Sequence, residues 1–307
     1  MIFVNHAMRV SNCYNIVMIE AVVLDVDGVI VGDKDGFNFP YPHREVIESL
    51  RKVRESGIYV SLCTGKPAFA IEKIIRDAHL NNLHIVDGGA TGIDPIDKKI
   101  SFQYTIDRSK TLPLVHFYLK NNIYMEIYTN SEYFVLGEQI NDLTQLHGYV
   151  LQREPDFVDD IDSFLNQKQI VKIFLIAKND EQKKFITQSF VEKFGEDLSI
   201  GWTTNPNLKC WQLGLVTVKG ISKGKGVEDI SKHLGVPLDN ILGIGDTMHD
   251  WEFIKICGYG ATMENASERL KELVLQKKHG FVGKSVGENG VIDVLRHFGL
   301  YYSSFKS

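Results

Sequence analysis

The chain alternates between short apolar runs and stretches in which apolar residues recur every three or four positions. Ala21-Val22-Val23-Leu24 lies in the first such run, and 20–25 reads as a buried strand. Pro42 then opens a helical stretch, where its missing N–H costs nothing. Val46, Ile47, Leu50 and Val53 recur at helical spacing until Gly57 stops them. Residues 58–63 form a second strand, 67–79 return to helical spacing through Ala70, Ile71, Ile74, Ile75 and Ala78, and 83–86 are a third strand. Strand–helix–strand alternation predicts a parallel sheet with right-handed crossovers.

The last third repeats that grammar. Val227, Ile230 and Leu234 mark a helix closed by Gly235-Val236-Pro237. Strands follow at 241–244 and 259–263, with a helix through Trp251 and Ile254 between them and helices at 268–276 and 291–298. The middle differs. Short aromatic, alternating segments at 102–106, 123–129, 133–136 and 171–177 are separated by helical stretches near 108–121 and 180–194. This predicts an α/β protein: a Rossmann-like parallel core with helices on both faces, plus an inserted α/β layer with antiparallel strands. The expected division is an N-terminal extension over 1–18, a core from 19–92 and 209–307, and an insert over 93–208.

Composition narrows the class. A length of 307 residues is long for one compact core and comfortable for two domains. The formal net charge of −5 argues against a general binder of nucleic acid or of anionic membranes. No apolar run reaches the roughly 20 residues of a membrane helix. Residues 1–17, broken by Asn5, His6, Arg9, Asn12 and Asn15, do not resemble a signal peptide; they read as a translated upstream extension or a disordered arm. Cys13, Cys63, Cys210 and Cys257 form no Cys-x-x-Cys pair, so a reducing cytoplasm is expected, with Cys63 as a buried structural thiol.

The chemistry gathers where apolar runs end. Asp25 and Asp27 close the first strand, and Asp246 and Asp250 follow the strand at 241–244. Two pairs of carboxylates at neighbouring strand ends repel each other unless a cation lies between them, and a hard divalent ion with oxygen ligands answers that need. Thr64-Gly65 ends the second strand, and Lys223-Gly224 enters a helix. Simple turn or helix-cap chemistry is the plain alternative for the aspartates and Thr64, and a solvated surface lysine for Lys223. Lys219 and Lys225 compete with Lys223. Gly280-Phe281-Val282-Gly283-Lys284-Ser285 has too few residues between its glycines for a P-loop.

Taken in order, four segments resemble the haloacid dehalogenase-like hydrolase superfamily, whose members are mostly phosphatases. They are Leu24-Asp25-Val26-Asp27-Gly28, Cys63-Thr64-Gly65-Lys66-Pro67, Val218-Lys219-Gly220-Ile221-Ser222-Lys223-Gly224, and Gly245-Asp246 with Asp250. The resemblance covers the chain from about Ile19 to its end. The insert between the second and third segments is similar to the Cof-type subgroup with a large α/β cap.

The resemblance implies Asp25 as nucleophile and Asp27 as the acid and base. Thr64, Gly65 and Lys223 would bind the phosphoryl group, with Thr64 and Lys223 also catalytic. Mg²⁺ would be held by Asp25, Asp246, the backbone carbonyl of Asp27 and, through water, Asp250. The implied activity is hydrolysis of small phosphomonoesters, of the sugar phosphate or phosphoglycolate class, through an aspartyl-phosphate. A phosphomutase is the nearest rival, and a non-catalytic phosphometabolite-binding protein is the rival of another class. The expected partner is a small phosphorylated metabolite, not nucleic acid, a membrane or a folded protein; nothing indicates an oligomeric state.

Four departures from the family pattern stand out: Val29 for Thr, Lys66 for Arg, Gly88 for Asn, and His249 for Asn beside the metal loop. An exposed His249 would titrate near neutral pH. Asn265 resembles a residue beside the family's metal site. Glu126, Tyr128, Trp202 and Asn205 are the cap residues expected to meet the leaving group.

Overall fold

Residues 19–96, 99–208 and 210–301 are described in a computed structural model of the chain. The expected extension over 1–18, with Cys13, lies outside the described residues. The first part of the chain forms β1 (Ala21–Leu24), α1 (Arg44–Glu55), β2 (Tyr59–Leu62), α2 (Glu72–Asp77), β3 (His84–Val86), β4 (Thr91–Asp94) and β5 (Lys99–Gln103). The middle forms α3 (Arg108–Lys120), β6 (Tyr124–Tyr128), β7 (Tyr133–Leu136), α4 (Asp142–Leu151), β8 (Asp156–Val158), α5 (Ile161–Gln167), β9 (Lys172–Ala177), α6 (Asp180–Lys193), β10 (Leu198–Thr203) and β11 (Gln212–Val218). The last part forms α7 (Lys223–Leu234), β12 (Ile241–Gly245), α8 (Trp251–Ile254), β13 (Tyr259–Met263), α9 (Glu268–Leu275), β14 (Gly280–Gly283) and α10 (Gly290–His297).

One sheet has the order β14-β13-β12-β1-β2 and is parallel throughout. Its central strands are apolar at every position because both faces are covered. Val46, Leu50 and Val53 of α1 pack on one face with Val291, Val294 and Leu295 of α10. Val227, Ile230, Phe253 and Leu270 cover the other. The chain leaves β1 toward β2 and later returns on the opposite side through β12. The loops after β1 and β12 therefore diverge, which opens a crevice at the carboxyl end of β1. A single bridge, Cys63 to Ile85, carries the pairing past β2 to an antiparallel trio β3-β4-β5.

A second sheet has the order β10-β11-β9-β6-β7-β8, antiparallel except at β7–β8. Period-2 alternation divides its side chains. Met125, Ile127, Ile173 and Leu175 meet the helices of the insert. Tyr124, Tyr128, Phe174, Leu213 and Leu215 join the hydrophobic cluster of the first sheet. The same parity puts Glu126 and Lys172 on the core-facing side.

Several elements differ from expectation. The strand expected at 102–106 forms as Lys99–Gln103, and the helix at 67–79 is a short turn followed by the six residues of α2. The core was expected to resume at 209, but β11 is an interior strand of the second sheet, between β9 and β10. Its alternating apolar residues fit either sheet; the long-range pairing with β9 decides. The glycine-rich Gly280–Gly283 is β14, paired with β13. Helices α4 and α5 and strands β4, β8, β10 and β11 were not anticipated. No described helix is long and apolar enough to cross a membrane.

Lys172 ties the two sheets together. Both it and Asp87 are fully buried, with Nζ 2.9 Å from Asp87 Oδ1. Nζ also donates to the Gly65 carbonyl at 2.6 Å and lies 4.2 Å from the Tyr128 ring centre. Burial raises the pKa of Asp87 against the pull of Lys172, and burial lowers that of Lys172 against the pull of Asp87. Removing one partner of such a pair leaves an uncompensated buried charge. Lys172→Met is expected to destabilise the protein by about 3–5 kcal/mol in denaturant unfolding, and a second change, Asp87→Asn, to recover most of that.

Candidate active site

Asp25 follows β1 and is held by its own N–H, which donates to the Ile244 carbonyl at 2.9 Å. A tight turn comes next: Gly28 N–H donates to Val31 O and Val31 N–H to Val26 O. This turn sets Asp27 beside Asp25 at the mouth of the crevice. Gly28 adopts φ +76°, and a Cβ there would collide with the Asp246 carboxylate. Only glycine lets the β1 turn and the β12 loop approach so closely.

The carboxylates surround one ammonium. Lys223, the first residue of α7, places Nζ 2.8 Å from Asp25 Oδ2 and 2.6 Å from Asp250 Oδ1. Its neighbour Ser222 caps the helix by accepting from Lys225 N–H. Burial disfavours the Lys223 ammonium, but Asp25 and Asp250 outweigh it and hold its pKa above the ordinary lysine range. Lys219 donates instead to the Gly195 carbonyl, and Lys225 pairs with Asp229.

Asp250 stands at the start of α8 without capping it. Its Oδ2 accepts from Asp246 N–H at 3.1 Å and from the N–H and hydroxyl of Thr247, each at 2.8 Å. Asp250 therefore shapes the loop that carries Asp246. Burial pushes its carboxyl up, but Lys223 and the Thr247 bonds bring the balance below the usual carboxylate range. Thr247 was not anticipated; its place between Asp246 and Asp250 was the available signal.

The remaining carboxylate oxygens have no such partners. Asp25 Oδ1 and Asp246 Oδ1 are buried and accept no hydrogen bond among the described residues. Asp25, Asp246 and Asp250 each bring an oxygen to within 4.8 Å of the others. Orphaned carboxylate oxygens in that cluster fit a hard divalent cation. The Asp27 side chain lies outside the cluster, 3.3 Å from Lys66 Nζ. Asn265 Nδ2 donates to the Gly28 carbonyl at 3.0 Å and lies 3.5 Å from Asp246 Oδ2, bracing the same loops.

Burial drives Asp25 up to about 7, Lys223 opposes it, and Asp250 adds to it. Burial also raises Asp246 well above its ordinary value, with Asp250 and Asp25 adding to the effect. A cation would relieve both.

Thr64 is buried at the end of β2, and its Oγ1 accepts from Lys66 N–H at 3.1 Å. Its own proton is left for an acceptor in the crevice. Thr64, Gly65, Lys66 and Lys223 border one cleft with Asp25 and Asp27. Its far wall comes from the insert and includes His147, Phe174 and Asn205.

Two departures from the family pattern acquire reasons. A Cβ at Gly88 would collide with Leu215 of β11, so the second sheet occupies the space of a larger side chain. His249 borders the cleft but is buried, its ring packed against Gly201 of β10. Burial, and then the nearby Lys223 charge, hold its pKa down to about 4. The expectation of an exposed imidazole titrating near neutrality is therefore corrected.

Of the four expected cap contacts, Asn205 borders the cleft. Glu126 and Tyr128 are buried behind it, and Trp202 donates to Thr187 outside it. His147 was missed because 142–151 was not read as a helix. Cys63 and Cys257 are buried, and burial raises both thiols; Cys210 is exposed.

His249→Asn is expected to leave the pH–rate profile between about pH 6 and 8 unchanged. The raised Asp25 carboxyl carries a stability consequence. Protonated in the fold where the unfolded chain is ionised, it contributes stability in full below about pH 4, and that contribution is lost as pH rises through about 7. Near pH 8, added Mg²⁺ is expected to raise the melting temperature by on the order of 5 °C, and Asp246→Asn to abolish the shift, in thermal scans.

Residues 22–295 match the family model of haloacid dehalogenase-like hydrolases. Phosphatase YwpJ of Bacillus subtilis (strain 168) is 23% identical over 297 residues, covering 90% of this chain and 98% of that protein. BT1666 of Bacteroides thetaiotaomicron, described among phosphatases of this superfamily, superposes with a TM-score of 0.74 at 21% identity, covering 96% of this chain and 99% of that one. The subclass IIB sugar phosphatase BT4131 gives 0.75 at 20% identity, over 92% and 100%. With a parallel core and four site segments in one crevice, the chain belongs to the haloacid dehalogenase-like hydrolase family.

Proposed function

We propose that the protein is a Mg²⁺-dependent phosphatase of small phosphomonoesters, with Asp25 as nucleophile and the insert (93–208 extended through β11) as a substrate-selecting cap. The observation that carries this reading is the Asp25 carboxylate. It lies at the open end of β1, bound through Oδ2 to Lys223 and with Oδ1 unengaged, beside a second carboxylate at the same cleft.

A phosphomonoester enters with its phosphoryl group between Thr64, the Gly65 loop and Lys223. The Thr64 hydroxyl and the ammonium of Lys223 take the phosphoryl oxygens and neutralise the charge that builds during transfer. Asp25 attacks phosphorus, the P–O bond to the leaving group breaks, and Asp27 gives that oxygen a proton. Asp27 then accepts a proton from water, which attacks the aspartyl-phosphate and releases inorganic phosphate and free Asp25. A divalent cation held by Asp25 and Asp246, with Asp250 and the Asp27 carbonyl in support, supplies positive charge against which two carboxylates and a phosphate can share the site.

Lys223 keeps Asp25 oriented, and Asp250 keeps Lys223 in place. The inner face of the insert covers the cleft and excludes bulk water. The named phosphatases among the relatives support this chemistry, and BT4131 supports sugar phosphates as the first substrates to try.

Asp25→Asn is nearly isosteric. It is expected to lower the rate of phosphate release by roughly 10³-fold or more while leaving the circular dichroism spectrum unchanged. Full activity in that variant would remove Asp25 as the nucleophile.

A further inference from the structure

The cleft has a polar wall on the side of the insert. Glu126, in the middle of β6, is fully buried on the core-facing side of the second sheet. A carboxylate there is costly unless its oxygens are engaged. Tyr128 donates its hydroxyl to Oε2 at 2.5 Å, and Tyr124 donates to Oε1 at 3.3 Å. His147 of α4 places Nδ1 2.8 Å from Oε1 and 2.7 Å from Oε2. With Glu126 as the acceptor, Nδ1 carries the proton. This is how a carboxylate fixes an imidazole's tautomer and orientation.

The pair is not enclosed within the insert. His147 borders the same cleft as Asp25, Asp27 and Thr64. With Nδ1 committed to Glu126, Nε2 is the nitrogen the ring can offer, and no described residue hydrogen-bonds it. A purely structural pair would have no need to reach the cleft.

Charge pairing limits what can sit there. Among the described residues, the cations around the phosphoryl site are matched: Lys66 with Asp27, Lys172 with Asp87, and Lys223 with Asp25 and Asp250. Among the described residues no arginine borders the cleft. Among the described residues, a leaving group with a second anionic group would face Asp27 at the cleft, with Glu126 behind the wall, and would find no cation without a carboxylate partner. A hydroxyl suits His147 in either protonation state: it donates to a bare Nε2 and accepts from Nε2–H. Phe174 and Leu213 provide an apolar wall beside it.

We infer that His147, oriented by Glu126, selects the leaving group, and that it reads a hydroxyl on an uncharged, hydroxyl-bearing group. The inference rests on the phosphatase reading above. His147 is the specificity-determining contact, and Glu126 is a positioning residue that acts through it.

The test uses the full chain with Mg²⁺. Phosphate release is measured from glycerol phosphate, ribose phosphate and glucose phosphate, from the acids phosphoglycolate and phosphoglycerate, and from p-nitrophenyl phosphate, whose leaving group has no hydroxyl. The best neutral substrate is expected to exceed both acids by about 10-fold or more in kcat/KM. His147→Phe, which keeps the ring volume, should lose about 10-fold or more on that substrate and less than about 3-fold on p-nitrophenyl phosphate. Glu126→Gln should fall between wild type and His147→Phe on the neutral substrate, chiefly through KM, with a loss on p-nitrophenyl phosphate no larger than that of His147→Phe. Equal losses on both substrates, no loss on either, or a preference for the acids would overturn the assignment.

A binding arm separates this from the phosphatase reading. In the Asp25→Asn background, calorimetry compares glucose phosphate with inorganic phosphate. Weaker binding of the first alone on His147→Phe supports the assignment, and unchanged binding of both overturns it. A wild type that releases no phosphate from any ester would sink the phosphatase reading while the calorimetry still decides His147.

Discussion

The site depends on a single buried ammonium. Lys223 lies between Asp25 and Asp250, within 2.8 Å of one and 2.6 Å of the other. Without it, carboxylates from β1 and from the loop after β12 would face each other in a dry crevice, at a cost several times that of an ordinary surface repulsion. With it, Asp250 is held ionised and can organise the Asp246 loop through three hydrogen bonds. The arrangement remains short of positive charge. Two buried carboxylate oxygens are left unengaged, and burial keeps Asp25 and Asp246 reluctant to ionise. That shortfall fits a divalent cation, and on the proposed reading phosphate binding and metal binding would favour one another.

A second buried pair performs a comparable task between the sheets. Lys172 reaches from β9 to Asp87 and to the Gly65 carbonyl, so a residue of the insert touches the loop expected to hold phosphate. The apolar cluster shared by the two sheets supplies the attraction, which is non-directional. The ion pair adds a fixed register, because a buried lysine accepts few alternative positions. This one side chain thus contacts both Asp87 and the Gly65 loop from the second sheet.

Much of the fold was legible locally. Val22-Val23-Leu24 and Ile241-Leu242-Gly243-Ile244 announce buried parallel strands because two covered faces demand apolar residues at every position. Asp25, Asp27, Thr64, Lys223, Asp246 and Asp250 were legible because each follows a strand or opens a helix, where a parallel sheet gathers ligands. The insert was less legible. The insert runs past its expected end at 208 to include β11, a strand the sequence reading did not identify, and β8 and β10 owe their state to partners far along the chain. The P-loop-like Gly280–Gly283 became a strand because β13 offered an edge to pair with.

By itself, then, the sequence determined the main strand–helix alternation of the parallel core and six polar side chains that follow its strands or open its helices, since both follow from short-range periodicity and chain direction. The tertiary structure alone decided what surrounds them. It buried His249 against Gly201 and so removed its titration from the neutral range. It filled the space beside Gly88 with Leu215, and it brought His147 from an unrecognised helix to the cleft with Glu126 behind it. These outcomes depend on burial and on contacts between residues distant in sequence, and no local pattern of polar and apolar positions encodes either one.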